Sequence, residues 1–569
     1  MPLSKNQFIR LWLFSALAVT ILRLLHGPDF GYDLTIQLQA AQNLAGGHGL
    51  SVYSILGEED LAVPNRLILL TYFPAGYSIL AALLMLLGIG APIATQILAA
   101  TGTLLGWWGW GRLAYAFMKP GLDRSPRWRW IAIVSALVTP LFFTPPWSGT
   151  DIFLWAAVPW VVQWLGCGAD PLIPNRTRFD VFAGALCGLT VLLRYQGLVM
   201  LGYAALLIVF QSAFEPKMLV RRAAMFAVAA FPFLALQACL NYVLSAPSTV
   251  APGGLVFDGQ LGAHGHAIWI SLLYITTVNS CLVWWAPRKI LQFFTQSGDH
   301  APWLLALTLA GIFVAPFFFA AKLGVRHVVA ASRDVRTAAA GLFLLFPLFL
   351  FGCAFGGAVY SGIARYYSPL LPLALLVAYA WAVPEDKPQG YLQTGLRLLN
   401  CGYLAFYISM AVFGLAVLFL PGKRGSTRRA WVLGTSHFGH WFSSTPKKEI
   451  SVARDYVLAL WREEPNTILV TNEPHWFYAD PTVDRSRLHR IQGMQAKYVT
   501  GPVRIVIAAA DPFPVPDTAL YWYGTFGNAY QVHYFESVPD LHLVRRFPDE
   551  NIKILESRIP AGTRIDLKR

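Results

Sequence analysis

Four charged residues stand at the edges of long apolar runs. They are Asp33 in Gly31-Tyr32-Asp33-Leu34, Asp151 directly after Trp147-Ser148-Gly149-Thr150, Arg194 in Leu192-Leu193-Arg194-Tyr195 and Arg365 in Ile363-Ala364-Arg365-Tyr366. A positioned carboxylate can take the proton of a hydroxyl as that hydroxyl attacks. A planar guanidinium makes paired, charge-assisted bonds to phosphate oxygens. Two aspartates facing two arginines across one cavity would therefore supply a base and an anion clamp. Each residue also has a plainer reading. Asp33 and Asp151 precede apolar helices whose first N–H groups they could cap, and an arginine at a helix end can snorkel to lipid headgroups.

The elements that must carry these residues follow from composition. The 569 residues are 56% hydrophobic and 13% charged, with a mean hydropathy of +0.50; soluble domains carry about 25% charged residues. Disorder, collagen and disulfide scaffolds are excluded, and a polytopic membrane protein is indicated. The six cysteines share no metal-ligand spacing and read as small core side chains. The net charge of +14 would suit nucleic acid in a soluble chain. Here the basic residues lie between apolar blocks, which points to topology signals and anionic lipid, with no nucleic-acid partner.

A spanning helix needs about 20 apolar residues. The first candidate, 11–25, follows Lys5 and Arg10 and reads as an uncleaved helix with a cytoplasmic N-terminus. Further blocks lie at 92–118, 130–145, 151–167, 180–193, 196–213, 224–244, 302–320, 338–359, 367–383 and 398–420. The connectors alternate in charge, with 15 Lys and Arg on one side against 5 on the other. This pattern assigns 11 spans and places the C-terminus outside. Residues 72–87 and 268–285 would invert the pattern if counted, so they are expected as surface or re-entrant helices. Trp107, Trp108 and Trp110 read as an interfacial belt.

The fold expected is an all-α membrane module over 1–421, with outer loops 26–91 and 245–301. A small α/β domain over 422–569 follows it, outside the membrane. In the first outer loop, 34–44 predicts a short amphipathic helix with Leu34, Leu38, Ala41 and Ala45 on one face. In the last domain, a helix over 446–464 and strands over 467–471, 503–508 and 541–546 are expected.

Four stretches, in order, resemble the GT-C class of integral-membrane glycosyltransferases, in the branch of protein O-mannosyltransferases and lipid A aminoarabinose transferases. Gly31-Tyr32-Asp33-Leu34 with Ala41-Gln42-Asn43-Leu44-Ala45-Gly46-Gly47-His48-Gly49 resembles the first outer loop with its catalytic acid. Tyr72-Phe73-Pro74-Ala75-Gly76-Tyr77 resembles the proline stretch before a juxtamembrane helix. Residues 184–197 resemble a Gly-Leu run ending in Arg194, and Arg365-Tyr366-Tyr367-Ser368-Pro369 resembles an Arg-Tyr–proline segment. The branch often has an Asp-Glu pair where this chain has Asp33-Leu34, and the aminoarabinose transferases have a lysine just before the proline stretch, where this chain has Thr71-Tyr72-Phe73, with Arg66 as a candidate substitute.

The resemblance implies an inverting transfer of a sugar from a polyprenyl-phosphate donor to a protein, lipid or glycan acceptor at the outer membrane face. Asp33 would be the base and Asp151 its partner. Arg194, Arg365 and Arg66 would hold the donor phosphate. Substrate contacts are expected at Asp29, His48, Tyr77 and Tyr366, and at His264 in the later outer loop; Trp284 and Trp285 are sugar-stacking candidates. No cofactor is expected, with a divalent cation the less favoured alternative. The rival class is a lipid or glycan transporter or flippase. Such folds often show internal repeats and broken helices at the midplane, whereas the ionisable residues here gather toward one surface.

Overall fold

The computed structural model describes residues 4–26, 32–53, 58–70, 73–124, 126–143, 150–170, 173, 175–212, 215–243, 448–464, 466–471, 477, 483–490, 496–510, 538–547 and 552–565, with scattered positions between 372 and 405. Apolar runs become helices: α1 (Lys5–His26), α2 (Tyr32–Ala45), α3 (Gly76–Leu86), α4 (Ala91–Arg124), α5 (Pro126–Phe143), α6 (Asp151–Ala169), α7 (Thr177–Leu193), α8 (Gly197–Gln211) and α9 (Pro216–Ala238). A π-helical turn, Cys239–Val243, extends α9. Two short strands, β1 (Ser51–Tyr53) and β2 (Leu67–Leu69), pair antiparallel between α2 and α3.

Among the described residues, one helix is by itself long and apolar enough to cross a membrane, Pro216–Asn241 with a mean hydropathy of 2.0. The expected spans at 302–320 and 338–359 and the loop 245–301 lie outside the described residues. α3 has 11 residues and rises about 16 Å, roughly half the hydrocarbon thickness.

Three expectations are corrected here. The connector 119–129 is mostly helical, because α4 runs on to Arg124 over 34 residues. Arg222 is not a loop charge: α9 starts at Pro216, so Arg222 lies within it, 3% exposed. Trp107 and Trp110 do not form an interfacial belt. Both are fully buried, and only Trp108, at 46% exposure, faces out. Trp107 packs on Trp12 and Trp155 at ring separations of 5.4 and 4.8 Å, and the Trp110 indole donates to the Trp155 carbonyl at 3.2 Å.

Helices α7 and α9 approach closely through glycine. A Cβ built at Gly184 would lie 2.1 Å from the Phe226 carbonyl oxygen, and one at Gly188 2.7 Å from that of Ala230. Small residues four apart let two backbones meet in this way. The same pair of helices carries a buried ion pair, Arg222 to Asp180 at 2.8 Å.

The last domain is a mixed sheet against a helix. Helix α10 (Lys448–Glu463) precedes β3 (Thr467–Thr471), β4 (Leu488–Arg490), β5 (Val503–Ala510), β6 (His542–Phe547) and β7 (Ile552–Ile559). The order is β4-β3-β5-β7-β6, with β3 parallel to β4 and β5, and β7 antiparallel to β5 and β6. Side chains alternate between the two faces, as a strand requires. Leu469, Val506 and Ile554 meet Ala453, Val457 and Trp461 of α10. Ile468, Val470, Ile505, Ile507 and Leu555 point to the other face, where Leu61, from the segment between β1 and β2, is part of the same core.

Candidate active site

Helix α2 is buried on more sides than an amphipathic surface helix would be. Leu34, Leu38 and Ala41 form one cluster with Tyr77, Ala81, Ala82, Leu98 and Leu193. Ile36 and Ala40 form another with Val52 and Leu70 around the β1–β2 pair. The polar Thr35, Gln37 and Gln39 are also at or below 1% exposure. The Ser78 hydroxyl donates to the Gln37 carbonyl at 2.8 Å, fastening α3 to α2.

The first of these clusters draws the expected site elements together. Asp33 sits in the first turn of α2, one residue before Leu34. Arg194 follows Leu193 at the end of α7, and Asp151 lies two residues before Phe153, which packs on the same cluster. Tyr77 stands between them, 2% exposed, with its ring edge-on to Phe153 at 6.2 Å. It is a packing residue there rather than one open to a ligand.

Asp151 and Arg194 meet directly. The guanidinium Nη2 is 2.8 Å from the Asp151 carboxylate, with side chains 7% and 3% exposed, and Nη1 donates to the Thr150 hydroxyl at 2.9 Å. Asp151 is therefore not the cap of α6: Thr150 holds the cap position without a side-chain bond. Arg194 is aimed there because α7 stops at Leu193. Its own backbone is extended, with φ −157° and ψ 129°, while its N–H still donates to the Thr190 carbonyl at 2.8 Å. Burial in one apolar cluster strengthens the attraction between the two charges and fixes the arginine's orientation.

A neutral network adjoins this pair. Gln237 accepts from the Ala75 N–H at 3.2 Å and donates to Asn241 at 2.9 Å, and the Tyr195 hydroxyl donates to Asn241 at 3.1 Å. It joins the turn after Arg194 to the π-helical turn and to the start of α3. Gly76 completes the fit, since a Cβ there would lie 2.7 Å from the Leu192 carbonyl oxygen. Single π turns recur at functional sites. Sequence reading missed Gln237 and Asn241; the signal was two amides spaced one turn apart at the end of an apolar run.

The remaining expected residues are placed as follows. Arg66 is 61% exposed and pairs with Glu58 at 3.3 Å, and His48 is exposed in the turn after α2. The Asp33 side chain, Asp29, Arg365, Tyr366, His264, Trp284 and Trp285 lie outside the described residues.

The loop carrying Arg66 does not hang free. The Asp60 carboxylate accepts from the Thr500 N–H at 3.1 Å and the Ala62 N–H at 3.0 Å, and also from the Thr500 hydroxyl. Leu61 N–H donates to the Tyr498 carbonyl at 3.1 Å, and Lys497 N–H to the Glu59 carbonyl at 2.7 Å. Asn65 donates from its backbone to Ser486 at 2.6 Å and from its side chain to Leu488 at 2.9 Å.

No protein-family model matches the sequence, and no curated protein does. Solved structures similar to the chain include three from different organisms. Undecaprenyl-phosphate-bound ArnT from Cupriavidus metallidurans is 14% identical with a TM-score of 0.43, over 97% of this chain and 98% of that one. The apo oligosaccharyltransferase of Archaeoglobus fulgidus is 13% identical with a TM-score of 0.45, over 94% and 73%. Mycobacterial arabinofuranosyltransferase AftD is 14% identical with a TM-score of 0.45, over 98% and 42%.

Proposed function

We propose that this chain is an inverting glycosyltransferase that moves a sugar from a polyprenyl-phosphate donor to an acceptor hydroxyl or amine. It works at the extracytoplasmic face of a membrane, the bacterial plasma membrane in this reading, with the last domain on that side. The observation that carries the reading is one packed cluster at which α2, α6 and α7 meet, since these are the elements bearing Asp33, Asp151 and Arg194.

In this mechanism the acceptor oxygen or nitrogen attacks the anomeric carbon while Asp33 takes its proton. The bond from that carbon to the phosphate oxygen breaks, and its electron pair leaves with the polyprenyl phosphate. One displacement inverts the centre, through an oxocarbenium-like transition state. Arg365 and Arg194, with Arg66, compensate the charge growing on the leaving phosphate, the term that usually dominates such catalysis. Asp151 orients Arg194 toward the same group.

The test is to incubate the purified full chain with a panel of polyprenyl-phosphate sugars and to identify products by mass spectrometry. Transfer is expected from at least one donor, with Asp33→Asn lowering it about 10²- to 10⁴-fold. An Asp33→Asn variant at full rate would remove the base assignment. No transfer from any donor, together with lipid movement across liposomes, would replace the enzyme by a flippase.

A further inference from the structure

Among the described residues, the last domain has a two-faced sheet and one helix, α10, to cover it. α10 closes one face. On the other, Leu61 is fully buried among Ile468, Val470, Val499, Ile505 and Ile565, although it lies more than 400 residues earlier in the chain than Ile468. Asp60, 8% exposed, anchors the insertion. Burial raises the pKa of its carboxyl, but bonds from the Thr500 hydroxyl and from the Ala62 and Thr500 amides outweigh this and hold it below the ordinary range.

The anchored segment is mechanically continuous with α2. It leaves and returns through the β1–β2 pair, whose Val52, with Leu70 beside it, packs on Ile36 and Ala40 of α2. The Asn43 amide of α2 donates to the Ser51 carbonyl at 2.8 Å. A hold on Asp60 is thus a hold on the helix whose first turn bears Asp33.

We infer that the last domain is a clamp on the first outer loop, and that Asp60, through Thr500, is a positioning residue for α2. Its role in transfer rests on the glycosyltransferase reading; its role in ordering α2 does not.

The experiment compares the full-length chain in detergent with Asp60→Asn and Thr500→Val by amide hydrogen exchange. Amides of 59–65 and of α2 are expected to exchange about tenfold faster in both variants, as the loss of hydrogen bonds to a charged group implies, while those of α7 and α9 keep their rates. A cysteine pair provides rescue. A Cβ at Gly501 would lie 3.9 Å from that of Ala62, a spacing within the range of disulfides. Ala62→Cys with Gly501→Cys should cross-link on oxidation and return α2 of the Asp60→Asn chain to its original exchange rate. Where transfer is measured, Asp60→Asn should lower kcat about tenfold with donor KM within about twofold, and the cross-link should restore it.

Unchanged exchange at 59–65, faster exchange there with α2 unaffected, or a cysteine pair that does not link would each overturn the clamp. If the unmodified chain transfers no sugar, the enzymatic reading falls while the exchange and cross-link arms still decide this one.

Discussion

The Arg194 guanidinium lies 2.8 Å from the Asp151 carboxylate, and the pair ties the start of α6 to the end of α7. Each charge is nearly sealed from solvent, so neither is tolerated without the other. Arg194→Ala should cost roughly 3 kcal/mol or more of stability. Arg194→Ala with Asp151→Ala should cost less than the sum of the two single changes, by on the order of 2 kcal/mol. Unfolding midpoints of the four proteins in detergent measure the coupling, and additive losses would show that the pair is incidental.

At the other end of α7, Arg222 makes a fork to both oxygens of Asp180 and reaches the Leu165 carbonyl at 2.8 Å and Gln211 at 3.1 Å. Lysine keeps the charge but not the fork. Arg222→Lys is expected to lower stability by about 2–3 kcal/mol, and Asp180→Asn by a similar amount. Thermal unfolding at neutral pH reads both, and a neutral Arg222→Lys would contradict the geometry.

Gly184 offers a purely steric test. With backbone oxygen 2.1 Å from the position of a new Cβ, α9 must move away for alanine to fit. Gly184→Ala should destabilise by about 2 kcal/mol or more. Gly90, whose Cβ would meet only Pro92 at 4.0 Å, should accept alanine with little change. Equal midpoints for the two variants would mean that α7 and α9 are not in close contact.

His489 predicts a pH dependence. It is 1% exposed on β4, and burial pushes its pKa down to about 4. Below the ordinary histidine value near 6.5 the unfolded chain binds a proton that the folded one refuses until about pH 4. Stability should therefore fall as pH drops through this window, by on the order of 2 kcal/mol between pH 7 and 5. His489→Leu should flatten that slope. Denaturant titrations of the full chain at the two pH values check it.

The helices, and three of the five strands of the last domain, were legible because apolar period and length mark them. The strands expected at 467–471, 503–508 and 541–546 are β3, β5 and β6 within a few residues. The short β1, β2 and β4 have three residues each, too few for a period to register, and β7 (Ile552–Ile559) was missed although it has eight, because Lys553, Glu556 and Arg558 break up its apolar run. The elements bearing Asp33, Asp151 and Arg194 could be named from their places beside apolar runs, yet which of them touch could not. Asp151 reads equally as a helix cap until Arg194 arrives from 43 positions later. Long-range partners leave no local trace: nothing around Asp60 announces Thr500, and Arg222 looks like a loop charge unless Asp180 is seen beside it.

The seating of Leu61 beneath the last sheet also sets an order of events during synthesis. Residues 58–65 emerge early, but the surface that receives them includes Tyr498, Val499 and Ile565. At roughly 5–20 residues per second, the ribosome needs on the order of half a minute or more to supply those partners. Throughout that interval the segment waits unseated, without the partners that bury Leu61. Residues 58–65 therefore cannot take up their docked position until Ile565 has been made, so a chain that ends before Tyr498 leaves this segment undocked.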